Sequence, residues 1–295
     1  MTQAKDFAAG SIALGAIVLA LKLAAWWVTG SAALFSDAAE TVVNVAASVI
    51  AWLALRLAAK PADANHPYGH DKAEFFAAVI EGVLIVVAAL VILQHAWNTV
   101  RAPAPIEAPL VGMALNAAST VLNLGWALLL FRKARAFRSA ALKADAQHLV
   151  ADVVTSIGVL IGVVLVVTTG IAWLDPAVAA ATAIYIIVSG SFLIRDSVGG
   201  LMDAAPAAEI VGRIRDIVGQ HAAGAIEAHD LRTRHAGRLT FLEFHLVVPG
   251  AMSVSAAHEI CDRIEAALKA EMEGLMITIH VEPEGKAKHH GVLVL

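Results

Sequence analysis

Cysteine and charge are both scarce in this sequence. Its 295 residues include one cysteine, Cys261, and only 16% of them are charged. One cysteine excludes an internal disulfide, and a formal net charge of -4 gives none of the basic field that nucleic-acid-binding domains carry. With 59% hydrophobic residues, the chain is also too apolar for an ordinary soluble domain or a disordered segment. The composition therefore predicts a membrane protein without a nucleic-acid partner.

Six long apolar runs follow one another from the start of the chain. A helix needs about 20 apolar residues to cross a bilayer, and all six runs meet or nearly meet that length. The first contains Lys22 as its only charged residue and is too long for a signal-peptide core. We predict six transmembrane helices, with buried helices of a large soluble protein as the alternative. The expected ranges are 7–30, 31–57, 73–100, 108–131, 145–170 and 176–194.

The links between the spans differ in charge. Those after the first and fifth spans carry no Lys or Arg, whereas the second and fourth are rich in them and Arg195 follows the sixth span. By the positive-inside rule, both termini are expected in the cytoplasm. The pattern predicts a multi-pass protein, and the composition is compatible with a plasma (inner) membrane. The positive residues of the second and fourth links are Arg56, Lys60, Lys72, Arg132, Lys133, Arg135, Arg138 and Lys143.

The sequence becomes amphipathic and more highly charged after Asp203. Its periodicity predicts a helix over 207–221, strands over 225–234 and 239–248, a helix over 253–272 and a strand over 276–282. We therefore expect an α-helical membrane domain, 1–203, followed by a small α+β cytoplasmic domain, 204–285, and a tail, 286–295. The order αββαβ is that of a ferredoxin-like, metallochaperone-like sandwich with one helix layer on a three-stranded sheet.

Two of the predicted spans carry the same pattern of polar residues, at i, i+3 and i+7. The residues are Asp37, Glu40 and Asn44 in the second span and Asp145, His148 and Asp152 in the fifth. A carboxylate near a helix centre costs ~2.5–3.5 kcal/mol on insertion scales, so these side chains should face the protein interior. If the two helices face each other, the last two residues of each set supply two carboxylates, an amide oxygen and an imidazole. That donor set predicts a site for a divalent transition metal.

Other interpretations of these polar residues remain open. The groups could be helix caps or a hydrogen-bonded lock between helices. Asp37 and Asp145 lie nearer the span ends, so capping, gating or a role as an extra ligand are alternatives for both. Asn44 is a weak ligand, and a plain interhelical hydrogen bond would also explain it.

Histidines outside the spans form two further groups. Asp63, His66 and His70 share a polar link at a spacing that can close around one ion, although solvated loop residues would look the same. In the soluble segment, strand alternation places His280 and Glu282 on one face. His229 and His245 lie on the two paired strands and His258 on a helix, and scattered surface histidines are the alternative.

These residues resemble the cation diffusion facilitator family over nearly the whole chain. The resemblance covers the six spans, both polar sets, the link PADANHPYGHDKAE at 61–74 and the segment AHDLRTR at 228–234. It implies proton-coupled export of a divalent metal ion from the cytoplasm by a homodimer, with the ion as cargo. It implies no enzymatic activity and no catalytic cofactor.

The resemblance also assigns roles to residues outside the spans. It implies an ancillary metal site at Asp63, His66 and His70, and a charge pair at the dimer seam between Lys72 and Asp203. It further implies a paired cytoplasmic metal site that bridges the subunits, and such a bridge would tighten the dimer when cytoplasmic metal is high. The residues matched to that site are His229, His245, His258, His280 and Glu282.

The second-span pair departs from the family pattern. Zinc exporters usually carry Asp or His followed by Asp, whereas this chain has Glu40 followed by Asn44. The departure leaves one nitrogen donor among oxygens, so iron(II), manganese(II) and cobalt(II) become candidate cargoes beside zinc and cadmium. Asp37 could supply the missing charge. A membrane-anchored metal sensor is the first rival function, and an intramembrane metalloenzyme, for which no H-E-x-x-H motif is present, is the second.

Overall fold

The structure is a computed structural model that describes residues 2–102, 106–137, 140–237, 239–288 and 292–293. Arg138 of the predicted fourth link and parts of the predicted tail, 289–291 and 294–295, lie outside the described residues. The chain divides into two compact units. One comprises Met1–Arg56 and Ala77–Arg195, and the other comprises Leu57–Phe76 and Asp196–Leu295.

The first unit is built from six helices, each long and apolar enough to cross a membrane. This finding confirms the six predicted spans, which follow from run length alone because each run exceeds what a buried globular helix needs. The helices are α1 (Thr2–Thr29), α2 (Ala32–Ala58), α3 (Ala73–Arg101), α4 (Pro109–Phe137), α5 (Ala140–Thr169) and α6 (Leu174–Leu201).

The boundary between α4 and α5 differs from the prediction. The charged stretch expected as a link is mostly helical, since α4 continues to Phe137 and α5 begins at Ala140. Ala, Leu, Lys and Arg are strong helix formers, so a helix that leaves the bilayer there has no reason to stop. Apolar length therefore locates the membrane crossing but not the helix end.

Small residues let the membrane helices approach closely. Ala89 and Ile92 of α3 pack against Ala183 and Ile186 of α6, and Ala32 of α2 joins this buried cluster. A second cluster brings Ala25 of α1 and Leu34 of α2 against Val159 and Val163 of α5. In a bilayer such contacts replace the hydrophobic effect as the source of helix association.

The second unit contains the C-terminal domain in the predicted order αββαβ, with one extra strand. Its elements are α7 (Ala208–His221), β1 (Glu227–Ala236), β2 (Leu239–Val248), α8 (Val254–Glu271), β3 (Leu275–Pro283) and β4 (Val292–Leu293). The strand order is β3-β2-β1-β4, with β1 antiparallel to β2 and β2 parallel to β3. β4, which pairs with β1 at Glu227 and Ala228, lies in the predicted tail and is too short to show a period.

Alternation along β2 separates a core face from an open face. Leu242, Phe244 and Leu246 are fully buried and pack with Ile214 of α7 and Ile264 of α8. Residues of the opposite parity, among which His245 is half-buried, point away from the helices. The sheet thus offers one face on which polar side chains of three strands can meet.

Candidate metal centres

The second and fifth membrane helices are joined by a buried polar contact. Asn44 Nδ2 donates a hydrogen bond to Asp152 Oδ2 over 2.8 Å. Both side chains are buried, at 9% and 4% exposure, and each lies on the polar stripe of its helix. The structure therefore brings α2 and α5 together along the faces that the sequence pattern indicates. The structure thus contains the interhelical hydrogen bond that was the alternative explanation for Asn44.

Glu40 and His148 extend this contact along the two stripes. Glu40 lies one turn from Asn44 and interacts electrostatically with Asp152. Its Oε2 atom is buried and has no hydrogen-bond partner among the described residues. His148 Nε2 lies 4.0 Å from Asp152 Oδ1, and the His148 side chain is 36% exposed. A buried carboxylate oxygen without a donor is a position that a cation would satisfy.

The four residues are not a closed ligand cage in the described structure. Two other groups of His and Asp have ligand atoms within 4.8 Å of one another, and the membrane tetrad is not among them in the described ranges. Asp145 lies on α5, but its side chain falls outside the described part of the structure, so its predicted role as gate or ligand stays a prediction.

Asp37 is committed to other partners. Lys22 Nζ lies 2.8 Å from Asp37 Oδ1, Ser156 Oγ donates to the same oxygen, and Asn116 donates to Oδ2. Both oxygens of Asp37 therefore accept hydrogen bonds from fixed donors in this arrangement. Sequence reasoning noted Lys22 only as a charge inside an apolar run, and it missed Asn116 and Ser156. A lysine so deep in a membrane span needs a partner, and this requirement is the sequence feature that could have pointed to the network.

Asp63, His66 and His70 form a compact group in the link between α2 and α3. His66 Nδ1 lies 3.2 Å from Asp63 Oδ1, and His70 Nε2 lies 3.5 Å from Asp63 Oδ2. The backbone N–H groups of Asn65 and His66 donate to Asp63 Oδ1 over 2.9 and 2.8 Å, which fixes the carboxylate in an Asx turn. The hydrogen bond from the His66 N–H lowers the pKa of Asp63.

The ligand atoms of the link group lie close enough together to share one ion. One ligand atom from each residue lies within 4.8 Å of the other two. The His70 side chain is only 9% exposed, and its Nδ1 is buried without a hydrogen-bond partner among the described residues. Two imidazoles and a carboxylate are a donor set that zinc and similar divalent ions accept.

Three histidines stand in one row across the open face of the C-terminal sheet. His229 on β1 is the direct partner of His245 on β2, and His245 is the direct partner of His280 on β3. Their ring centroids follow at 5.3 and 5.0 Å. The alternation predicted for His280 and Glu282 places that carboxylate beside the row.

The Glu282 carboxylate lies close to all three imidazoles of this row. Its Oε2 is 3.4 Å from His229 Nε2, and its Oε1 is 3.3 Å from His245 Nδ1 and 3.8 Å from His280 Nε2. His229 is 1% exposed, and both its ring nitrogens lack hydrogen-bond partners in the described structure, as does His245 Nδ1. Three imidazoles converging on one carboxylate, with unsatisfied nitrogens, fit a metal cluster.

His258 is the one predicted ligand that the chain does not bring to this cluster. It lies on α8, in the helix layer that covers the opposite face of the sheet, and its side chain is 74% exposed. Its Nε2 is 3.6 Å from Asp262 Oδ1 of the same helix. A second chain is therefore required if His258 is to share a site with the row of three.

Two carboxylates beside His229 were missed by the sequence reasoning. Glu227 Oε1 lies 3.1 Å from His229 Nδ1, and Asp230 forms a ligand-like group with His229 and His245. Asp230 has a φ of 52° where the β1–β2 register shifts, and it pairs with Lys288 Nζ at 2.6 Å. The hydrogen bond from Lys288 lowers the pKa of Asp230. A left-handed Asp in a strand leaves no sign in hydropathy, so only the structure shows it.

The predicted charge pair is present within one chain. Lys72 Nζ lies 2.8 Å from Asp203 Oδ1, and Arg234 Nη1 lies 3.4 Å from the same oxygen. The hydrogen bond from Lys72 lowers the pKa of Asp203. Arg234 also stacks on the rings of Phe241 and Tyr68, with 4.0 and 5.1 Å to the centroids. The structure thus shows the pair, while its place at a dimer seam remains a prediction.

Two family profiles match the sequence. Residues 9–202 match the cation efflux transmembrane domain, and residues 206–284 match the cytoplasmic domain of cation efflux proteins. The two matches meet between the end of α6 and the start of α7. They confirm six membrane helices followed by a cytoplasmic α+β domain.

Curated relatives match along most of the chain. An uncharacterized transporter of Synechocystis sp. is 39% identical over 280 residues, which are 95% of this chain and 90% of the relative. The cation-efflux pump FieF of Shewanella oneidensis is 32% identical over 273 residues, 92% of each chain. Among solved structures, the zinc form of CzrB is 50% identical over 28% of this chain and 96% of that one, with a TM-score of 0.28. The membrane profile alone spans well over half of the sequence, and the chain therefore belongs to the cation diffusion facilitator family of metal transporters.

Proposed function

We propose that this protein is a proton-coupled antiporter that exports divalent transition metal ions from the cytoplasm. Its candidate cargoes are zinc, iron(II), manganese(II), cobalt(II) and cadmium. The ion binds between α2 and α5 at Glu40, Asn44, His148 and Asp152. On the far side of the membrane, protons return to the same carboxylates and imidazole and displace it. Ion and proton compete for the same lone pairs, and this competition couples the two fluxes.

The observation that carries the proposal is the buried polar contact between the two spans. Asp152 and Asn44 are joined at 2.8 Å inside the membrane unit, and one turn from Asn44 a Glu40 oxygen is buried with no donor among the described residues. Carboxylates at such depth are costly unless a partner or a cation balances them. An anchor for a sensor does not need them, which favours transport over the sensor alternative.

The two candidate metal sites outside the membrane support regulation of transport by the transported metal. Asp63, His66 and His70 would hold an ion in the link, and His229, His245, His280 and Glu282 would hold one or more ions on the open sheet face. We propose that the protein is a homodimer in the inner membrane, with both termini cytoplasmic. His258 of each chain completes the cluster of its partner. Bound ions would then stabilise the dimer when cytoplasmic metal is abundant.

Flux in reconstituted vesicles tests the proposal. Vesicles that contain a metal dye and a pH dye should report metal uptake together with opposite proton movement, and Asp152→Asn should abolish both. Ser191→Ala is the matched control, because Ser191 lies on α6, is exposed and donates to the Ile187 carbonyl of its own helix. Metal flux without proton movement would refute antiport. Metal binding without any flux in wild type would favour the sensor.

A further inference from the structure

Lys22 is a buried cation in α1 that the proposed transport cycle does not use. Its side chain is 1% exposed, and Nζ donates to Asp37 Oδ1 over 2.8 Å and to Ser156 Oγ over 2.9 Å. Ser156 Oγ donates to the same Asp37 oxygen over 2.8 Å, and Asn116 Nδ2 donates to the other oxygen. Donors from α1, α4 and α5 thus occupy both oxygens of a carboxylate on α2.

This network lies one helical turn from the proposed transport residues. Asp37 precedes Glu40 by three residues on α2, and Ser156 follows Asp152 by four on α5, so each shares a helix face with its neighbour. Both steps lead toward the ends where α2 begins and α5 finishes, which pack together through Leu34 and Val163. The network therefore forms the layer next to the transport site on the side of the α1–α2 turn.

The ammonium of Lys22 changes the charge that this region offers an ion. Asp37, Glu40 and Asp152 would present three carboxylates within two turns, and Lys22 interacts electrostatically with all of them. Pairing with Lys22 neutralises one of these three carboxylate charges, that of Asp37. The two that remain match the charge of one divalent cation. The same pairing keeps the Asp37 oxygens turned to fixed donors and away from the ion.

We propose that Lys22 is a specificity-determining positioning residue, whose ammonium withholds Asp37 from the transported ion and limits the site to the charge of one divalent cation. This inference deepens the proposed function and rests on it. A purely structural clamp is the competing explanation, since the network also ties four helices together. The two explanations differ in the direction in which removal of the Lys22 charge alone, or of the Asp37 charge alone, changes KM.

Transport kinetics of full-length protein in vesicles, measured for zinc and manganese, separate the two. Lys22→Met releases Asp37 as a third carboxylate, so KM should fall about tenfold and kcat should fall with it because release is slowed. Asp37→Asn leaves the ammonium unpaired beside the site, so KM should rise about tenfold. The double variant Lys22→Met/Asp37→Asn removes both charges, and its KM should return to within about twofold of wild type.

Two further variants control for structure. Ser156→Ala removes a hydrogen bond from the network without changing its charge, so its effect on KM should stay well below the tenfold shifts expected of the charge deletions. Lys22→Arg keeps the charge and should keep the wild-type ranking of zinc and manganese. A clamp predicts instead that both single deletions lose activity in the same direction, because each leaves an unpaired buried charge, so the lowered KM of Lys22→Met is the result that separates the two explanations.

The outcomes are decisive even if one variant fails to fold. Should Lys22→Met give no folded protein, Lys22→Gln takes its place, because it also removes the charge while keeping a donor for Asp37, and only the charge explanation predicts a lowered KM. An unchanged KM in Asp37→Asn overturns the inference. Absence of flux in wild-type vesicles is a different result and overturns the proposed function.

Discussion

Asn44 Nδ2 and Asp152 Oδ2 are 2.8 Å apart, and this hydrogen bond links the second membrane helix to the fifth where both carry their polar stripe. The donor is a neutral amide. A carboxylate at the same place would face Asp152 at hydrogen-bond distance with no proton between them. The charge of the proposed transport site therefore depends strongly on residue 44.

Asn44→Asp should shift ion preference toward zinc. The added carboxylate opposes Asp152 and strengthens binding of a cation that bridges the two, and a gain of about tenfold in zinc affinity relative to manganese is the expected scale. A flux panel of zinc, manganese, cobalt and iron(II) measures the ranking. Ser48→Ala is the control, because Ser48 lies one turn further along α2 and its hydroxyl donates to the backbone carbonyl of Asn44 rather than to its side chain. An unchanged ranking would remove residue 44 as a determinant of selectivity.

Asp63→Asn should separate metal binding from loop folding in the α2–α3 link. An Asn side chain still accepts the backbone hydrogen bonds from Asn65 and His66, but it lacks the charge of the carboxylate. Metal affinity of the link should fall by at least about 10-fold to 100-fold, which is the loss typical of removing a group that only supports a ligand. Calorimetric titration of the full-length protein in detergent measures it.

Asp63→Ala is the companion variant, since it removes both the charge and the turn. We expect Asp63→Ala to bind more weakly still and to expose the link to proteolysis. Equal affinity of Asp63→Asn and wild type would show that the group is not a metal site.

His258→Ala and His245→Ala should affect the cytoplasmic cluster differently. His245 lies in the row of three within one chain, so its loss should weaken both metal binding and metal-dependent dimerisation. His258 lies on the helix layer, so its loss should spare most binding and weaken only dimerisation. Analytical ultracentrifugation with and without zinc measures the dimer, and His221→Ala serves as the control. The same loss of binding in both variants would contradict a partner-supplied His258.

The Lys72–Asp203 pair should make a small, pH-dependent contribution to stability. Hydrogen bonding from Lys72 lowers the pKa of Asp203 in the folded state, so the stabilisation is complete above the unfolded value of ~3.9 and is lost as pH falls through the lowered folded value. Both side chains are partly exposed, so the contribution at pH 7 should stay below about 1 kcal/mol.

Lys72→Met should therefore reduce thermal stability at pH 7 and have less effect at pH 3. Unfolding of the full-length protein at the two pH values measures this difference. Arg234, which also contacts Asp203, should preserve part of the effect in the variant. A larger loss at pH 3 than at pH 7 would reverse the expected sign.

Local patterns predicted most of the architecture, because membrane crossing and strand alternation are recorded residue by residue. The six spans and the order αββαβ follow from run length and period. The helical structure of the fourth link could not be predicted from apolar run length, since Arg132 to Phe137 favour helix as strongly as the apolar residues before them. β4 did not follow either, because two residues such as Val292 and Leu293 show no period.

The candidate sites were predictable only in part, for a related reason. Spacing on one helix shows which residues share a face, so Glu40 with Asn44 and His148 with Asp152 could be paired by analogy. The partner of Lys22 depends on how four helices rotate against one another, which no single run records. The position of the Asp230 side chain depends on a left-handed backbone conformation that the neighbouring residues do not predict.

The row of histidines has a consequence for how the C-terminal domain holds its shape. His229, His245 and His280 come from three strands, and the last of them pairs with β2 only after the chain has passed through α8. The unfolded chain scatters these imidazoles, so an ion that occupies the row would bind the native sheet alone. At a free concentration a hundred times its dissociation constant, such an ion would add about 2.7 kcal/mol to the unfolding free energy. The melting temperature of the domain would thereby serve as a gauge of free cellular metal.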